Sequence, residues 1–201
     1  MRPRRPVLVA LGLLAALAAG GCVMIPAAGG EASPGTPESS PSQDRSDLRA
    51  SNRFALTGRF SARHDGRRLT ALFAHQTDGL NTLTEVFSPL GTVLARLQVD
   101  ALGTTLALAD GTVRRDASIG ALLKEFTGLE VHDEALPFWL RGLPGNPAVT
   151  TTGGLFRESG WLIDVIEVSA ESPHAPRRMR WRPQALPESE IVWLIDRWVF
   201  E

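Results

Sequence analysis

The sequence predicts a mainly β domain: a curved antiparallel sheet, with helices inserted mid-chain to cover its concave side. Three observations carry this. Apolar and polar residues alternate through successive runs between about residues 54 and 114. Short turn signals separate the runs. One stretch, beginning near Ser118, switches to helical spacing before alternation resumes.

In the first run Phe54, Leu56, Gly58, Phe60 and Ala62 alternate with Ala55, Thr57, Arg59, Ser61 and Arg63, as a half-buried strand requires. His64-Asp65-Gly66 supplies a hairpin turn. Leu69 to Gln76 forms the next strand, with Leu69, Ala71, Phe73 and His75 on one face. Thr77-Asp78-Gly79 turns again. Leu80 to Phe87 and Thr92 to Asp100 follow as a pair joined by Ser88-Pro89-Leu90-Gly91. Thr105 to Ala109, the Asp110-Gly111 turn and Thr112 to Arg114 complete the meander.

Ile119, Leu122, Leu123 and Phe126 then have helical spacing, with Ser118 as N-cap and Gly128 as terminator. A second short helix is expected over Glu134 to Arg141, closed by Gly142. Strands resume at Leu155 to Glu158, Trp161 to Val168, Met179 to Arg182 and Glu190 to Phe200. The last is apolar on both parities: Ile191, Trp193, Ile195 and Val199 on one, Val192, Leu194, Trp198 and Phe200 on the other. A sheet wetted on its outside needs one apolar face. Either the helices or the chain ends cover the second face, or it lines a hollow.

The N-terminus reads as an export signal. Arg2, Arg4 and Arg5 precede a thirteen-residue apolar run, Val7 to Ala19. A permanent membrane helix needs about 20 apolar residues, whereas a basic start, a short apolar core and small residues define a cleaved signal. The small residues Ala18 to Gly21 run directly into Cys22. That position makes residues 1–21 a lipoprotein signal and the Cys22 thiol the site of a diacylglyceryl group, with Ala19 standing where the usual motif has Leu. Val23, rather than Asp, after the cysteine favours the outer membrane. Cys22 is the sole cysteine, which excludes an internal disulfide, and its use for lipid leaves no thiol for a metal cluster or a nucleophile.

Residues 26–47 are rich in Pro, Gly, Ser and Glu and poor in large apolar side chains. Burial cannot offset their ordering entropy, so residues 22–51 read as a lipidated N-terminus and flexible tether, and residues 52–201 as one globular domain. The net charge is −1, and removing the three arginines of the signal leaves about −4, not the balance of a nucleic-acid binder.

The chain lacks the usual marks of chemistry. Its four histidines, His64, His75, His132 and His174, have no metal-pair spacing. No nucleophile elbow or phosphate-cradling loop is present, and the acidic pairs sit in turns or at strand edges. No enzyme, metal or cofactor is expected. What stands out is apolar: five Trp and eight Phe with no Tyr, suited to a core or to an acyl-chain cavity. His174 with Arg177, Arg178, Arg180 and Arg182 makes a basic cluster, readable as a solvated strand face or as a contact for lipid phosphates or an acidic carrier.

Several short motifs in order resemble the LolB family of outer-membrane lipoprotein receptors. They are Leu56-Thr57-Gly58-Arg59-Phe60, Ser88-Pro89-Leu90-Gly91, Phe126-Thr127-Gly128, the run from Leu136 to Pro147 and Asp196-Arg197-Trp198-Val199. The likeness covers residues 52–201. His75 departs from it, standing where the family carries Trp after an aromatic pair. The resemblance implies an unclosed antiparallel β-barrel with a helical lid over a hydrophobic cavity, for which Phe60, Phe73, His75, Leu97, Trp139, Trp161 and Trp198 are the candidate lining. It implies a monomer that accepts lipoproteins by their acyl chains from a LolA-like periplasmic carrier and inserts them into outer-membrane phospholipid, with no nucleotide or metal. It also makes Leu90, with Pro89, a membrane-inserting tip. By residues alone Leu90 reads equally as a plug folded under the sheet. A structural outer-membrane lipoprotein, or a lipid-binding module with different cargo, is the alternative.

Overall fold

The computed structural model describes residues 41–172 and 174–200, all within the unit Ser39–Glu201. The signal, Cys22 and the first part of the tether lie outside the described residues. Ten strands form a single antiparallel sheet in the order β6-β5-β4-β3-β2-β1-β10-β9-β8-β7. They are β1 (Phe54–His64), β2 (Arg67–Thr77), β3 (Thr82–Phe87), β4 (Val93–Asp100), β5 (Gly103–Leu108), β6 (Val113–Arg115), β7 (Leu155–Glu158), β8 (Trp161–Val168), β9 (Pro176–Pro183) and β10 (Glu190–Phe200). Helix α1 (Pro41–Ala50) precedes β1, and α2 (Ile119–Thr127) and α3 (Leu136–Leu140) lie between β6 and β7.

The mainly β expectation holds, and the topology explains the helices. β6 and β7 are the two edges of the sheet. The chain between them must therefore cross from one edge to the other, and it does so carrying α2 and α3 over the inner face. The first and last strands pair at the centre of the sheet, so both meanders hang from one β1–β10 seam.

Local chemistry sets the boundaries. The β1–β2 hairpin turns through Asp65 (φ 49°) and Gly66 (φ 72°), a two-residue turn with both central residues left-handed. β3 begins two residues later than alternation predicts, because the Asp78 carboxylate accepts the amides of Leu80 (2.8 Å) and Asn81 (2.7 Å) and holds both in the turn. α2 is capped as expected: Ser118 accepts from the Ala121 amide, and Gly128 ends the helix at φ 74°. α3 is shorter than predicted. Pro137 can sit only in its first turn, and Gly142 (φ 69°) follows its end. The helix α1 lies inside the stretch that composition reads as tether. Its Leu48 is buried, a single apolar anchor in an otherwise polar segment.

Inner-face positions form one continuous core that includes Phe60, Phe73, Leu97, Leu106, Met179, Trp181 and Ile191. In β10 the alternation breaks. The register with β1 shifts between Thr57 and Gly58, so Ile195 pairs with Gly58 but Trp198 with Leu56. This bulge transfers Trp198 to the parity of inward Leu56 and turns exposed Val199 outward. A grouping of Val199 with Ile191 and Trp193, as strict alternation gives, is thereby corrected. On the outer face Val192 and Leu194 stand opposite Arg180 and Arg178, whose aliphatic stems suit a half-apolar surface. Gly58 is required at the bulge, since a Cβ there would lie 2.3 Å from the Leu194 carbonyl oxygen.

Candidate functional site: a closed hollow, its lid and an exposed tip

Between the sheet and the crossing helices lies a small apolar hollow. Phe60, Phe73, His75, Thr84, Val86 and Trp193 wall it from the sheet. Ile119, Leu122 and Leu123 of α2, with Leu136 and Leu140 of α3, close it from above. Its volume is about 20 Å³, little more than one water-sized sphere, against about 300–1,000 Å³ for pockets that hold drug-sized ligands. The hollow is shut. Open clefts on the surface are larger, up to about 700 Å³, but polar residues such as Asp133, Glu134 and Asn146 line that one.

The structure brings Phe60, Phe73 and His75 together in the wall of the hollow. It places the other four candidates elsewhere. Leu97 is fully buried on β4 beside its cross-strand partner Thr84, but does not line the hollow. Trp139 and Trp161 belong to a row of indoles, with ring centroids 6.2 Å apart for Trp161–Trp139, 5.7 Å for Trp139–Trp181 and 4.9 Å for Trp181–Trp193. Trp198 is half-buried at the end of β10, stacked on Phe200 at 5.2 Å, and donates to the Pro176 carbonyl at 2.8 Å. Trp193 and the five helix residues were absent from the sequence-based lining. The amphipathic spacing of α2 was visible, but not which strand faces it.

His75 and Thr84 are the polar residues of this wall. The His75 Nδ1 lies 2.8 Å from Thr84 Oγ1 on β3. Burial, with the nearby Arg141 cation as a smaller cause, lowers the imidazole pKa to about 4, so the ring is neutral at physiological pH. Where a Trp would bury one N–H, this chain buries an imidazole and supplies a threonine to pair it.

Leu90 is 95% exposed at the β3–β4 turn, so it is a tip and not a plug. The Gly91 amide donates to the Ser88 carbonyl (2.8 Å), and the Ser88 amide to that of Thr92 (2.8 Å). Gly91 takes φ 87°. This is a type I turn closed by a left-handed residue, with Pro89 fixing the position before the leucine. Two further leucines are equally bare at the opposite end of the strands, Leu80 (84%) and Leu102 (99%), each with its amide donated to the aspartate two residues earlier.

The basic cluster is partly neutralised. Arg178, Arg180 and Arg182 point outward along β9. Arg178 lies 3.8 Å from Glu167 and Arg180 3.5 Å from Glu190, while Arg177 is exposed. Among the described residues no cluster of His, Cys, Asp and Glu could hold a metal ion.

Two polar side chains, half-buried Glu158 and buried Arg141, fasten the lid and were not singled out from sequence. Glu158 accepts from Trp139 Nε1 (2.6 Å), the Gly145 amide (2.8 Å) and the Asn146 amide (2.6 Å), tying α3 and the loop after it to β7. Arg141, 5% exposed, follows α3 directly. Its guanidinium donates to the carbonyls of Pro137 (2.9 Å), Leu48 (3.0 Å), Arg49 (3.2 Å) and Ser51, and lies over the Phe138 and Phe54 rings at 4.9 and 5.3 Å. Burial and the neighbouring Arg49 lower its pKa to about 10, which leaves it charged at neutral pH.

Several known proteins are similar to this chain. Among curated relatives, the Outer-membrane lipoprotein LolB of Chromobacterium violaceum is 30% identical over 142 residues, covering 69% of this chain and 78% of its own. That of Cupriavidus pinatubonensis is 33% identical, covering 62% and 67%, and that of an Azoarcus species is 26% identical, covering 98% of each chain. A solved structure of a LolA superfamily protein from Nitrosomonas europaea overlaps 76% of this chain and 87% of its own with a TM-score of 0.49 at 6% identity. The profile described as Outer membrane lipoprotein LolB matches residues 52–198, and the chain belongs to the LolB family.

Proposed function

We propose that this chain is an outer-membrane lipoprotein receptor: it accepts lipoproteins from a LolA-like periplasmic carrier and inserts them into the outer membrane. The observation that carries the reading is the apolar hollow sealed between the sheet and the two crossing helices. An acyl chain releases about 0.8 kcal/mol for each CH₂ removed from water, so lipoproteins need an apolar berth throughout their passage. A hollow lined by Phe, Leu, Ile and Trp offers one without polar specificity. Its closed volume implies that α2 and α3 swing away when cargo enters.

Leu90 supplies the other half. In this proposal it enters the leaflet during delivery, and Pro89 and Gly91 hold it out. One leucine contributes at most about 1.5–3 kcal/mol, enough to disturb a leaflet and too little to anchor the protein. Anchoring is the role of lipid on Cys22, after removal of residues 1–21, with the tether leaving the domain in the periplasm. No catalytic step, cofactor or nucleic acid enters, and the working unit is a monomer.

The experiment is transfer. The purified protein is mixed with a lipoprotein-loaded carrier, and the lipoprotein is then followed into vesicles. The wild type should take cargo and deliver it. Leu90→Glu should take cargo and fail to deliver it. Failure of the wild type to take cargo would sink the receptor reading and leave a lipid-binding or structural lipoprotein; normal delivery by Leu90→Glu would sink the role of the tip.

A further inference from the structure

Arg141 poses a physical problem that packing does not solve. A buried cation normally has a carboxylate partner. All of Arg141's hydrogen bonds among the described residues go to carbonyl oxygens. Three of those four carbonyls, of Leu48, Arg49 and Ser51, lie at the end of α1, where helix carbonyls lack internal partners and the helix dipole favours a cation. The grip is reciprocal, since Arg49 of α1 donates to the carbonyls of Pro144 and Gly145 and lies 5.1 Å over the Phe138 ring.

The position of this contact matters more than its strength. Leu136 and Leu140 are the α3 residues that close the hollow, and Arg141 is the next residue along. α3 cannot lift without drawing the guanidinium off the α1 carbonyls. Leu48, which is buried, and Arg49 contribute to holding α1. Leu48 is its one large apolar side chain, and Asp47 and Ala50 are exposed. A cation bound only to carbonyls and ring faces can exchange them for water.

We propose that Arg141 is a latch. It holds α3 down over the hollow by gripping the C-terminal carbonyls of α1, and its release admits the acyl chain. The latch rests on the acyl-cavity reading for its cargo. It is a positioning residue and need not touch the lipid. Because α1 follows the stretch leading from Cys22, the catch of the lid lies on the segment that joins the domain to its tether.

Hydrogen–deuterium exchange on the full mature chain tests the latch, with uptake of dansyl-undecanoic acid as the acyl probe. Arg141→Met, which keeps the stem and removes the fork, should raise exchange of residues 136–143 roughly tenfold or more and leave β1, β2 and β10 unchanged. It should speed probe uptake by a similar factor. Leu48→Asp, which unseats α1 by itself, should do the same, and the double variant should add little to either. Arg141→Lys, which restores charge without the planar fork, should fall between. Unchanged exchange at α3, an equal rise across the whole sheet, or additive effects would each overturn the latch. If the wild type takes up the probe and Arg141→Met takes it no faster, the latch alone is overturned. If exchange rises as expected and neither protein takes the probe, the acyl-cavity reading falls, and the latch's part in cargo entry falls with it.

Discussion

His75 and Thr84 face each other across the β2–β3 pair with 2.8 Å between Nδ1 and Oγ1, in a wall whose other side chains are aliphatic or aromatic. The imidazole pKa is lowered from 6.5 to about 4, by burial first and by Arg141 second. The unfolded chain therefore binds more protons than the folded one between these values. Stability from this group is complete above about pH 6.5 and declines as pH falls towards 4, by up to about 3 kcal/mol. Urea denaturation of the wild type at pH 7.5 and pH 5 should show the loss. His75→Phe should lack this part of the pH dependence while leaving the Thr84 hydroxyl unpaired, at a cost of about 1–3 kcal/mol. An identical pH profile for the two proteins would refute the assignment.

Glu158 is the second fastening. Its two oxygens receive three N–H groups from α3 and the following loop. Glu158→Gln places an amide NH₂ against one of these donors and should destabilise by about 1–3 kcal/mol. A melting point lower by about 2–4 °C for each kcal/mol is expected in a domain of this size. An unchanged melt would mean that water replaces the carboxylate without loss.

Gly58 bears on the seam. A β-carbon there would meet the Leu194 carbonyl oxygen at 2.3 Å, and backbone cannot move aside as a side chain does. Gly58→Ala should destabilise by about 1–3 kcal/mol or more. Exchange should rise first in β1 and β10. A wild-type melt would show that the bulge relocates freely.

Leu90 predicts a dissociation of effects. It is almost wholly exposed, so Leu90→Glu should leave thermal stability within about 0.5 kcal/mol of wild type. Co-flotation of the unlipidated domain with phospholipid vesicles should fall by roughly ten- to a hundredfold, the equivalent of about 1.5–3 kcal/mol. Equal flotation would remove Leu90 from the membrane contact.

Most of the strand plan was legible, because period-two alternation and Gly-containing turns are local signals. Ser118 and Gly128 marked α2 for the same reason. The departures were those in which a side chain or a bulge overrode the local pattern. Asp78 held Leu80 and Asn81 in a turn, and the shift at Gly58 moved Trp198 to the inner face. α1 was hidden because its composition is polar and its hold on the domain comes from Arg141, some ninety residues later. The site was legible in part. Phe60, Phe73 and His75 share the hollow, but contacts across the sheet decided that Trp193 and not Trp139 or Trp161 lines it. Arg141 lay inside a motif singled out for its likeness to LolB, and nothing local shows that its partners are carbonyls of a distant helix.

Trp161, Trp139, Trp181 and Trp193 stand within energy-transfer range of one another, and the last of them borders the hollow. Light absorbed by any of the four can be emitted from whichever indole has the lowest excited state. A guest settling beside Trp193 would change the polarity around one end of that row, and with it the emission wherever Trp193 is the emitting indole. Trp198, stacked apart on Phe200, supplies an unshifted background. Under the proposed function, the row would serve as an unlabelled optical gauge of cargo in the hollow, readable in the intact protein.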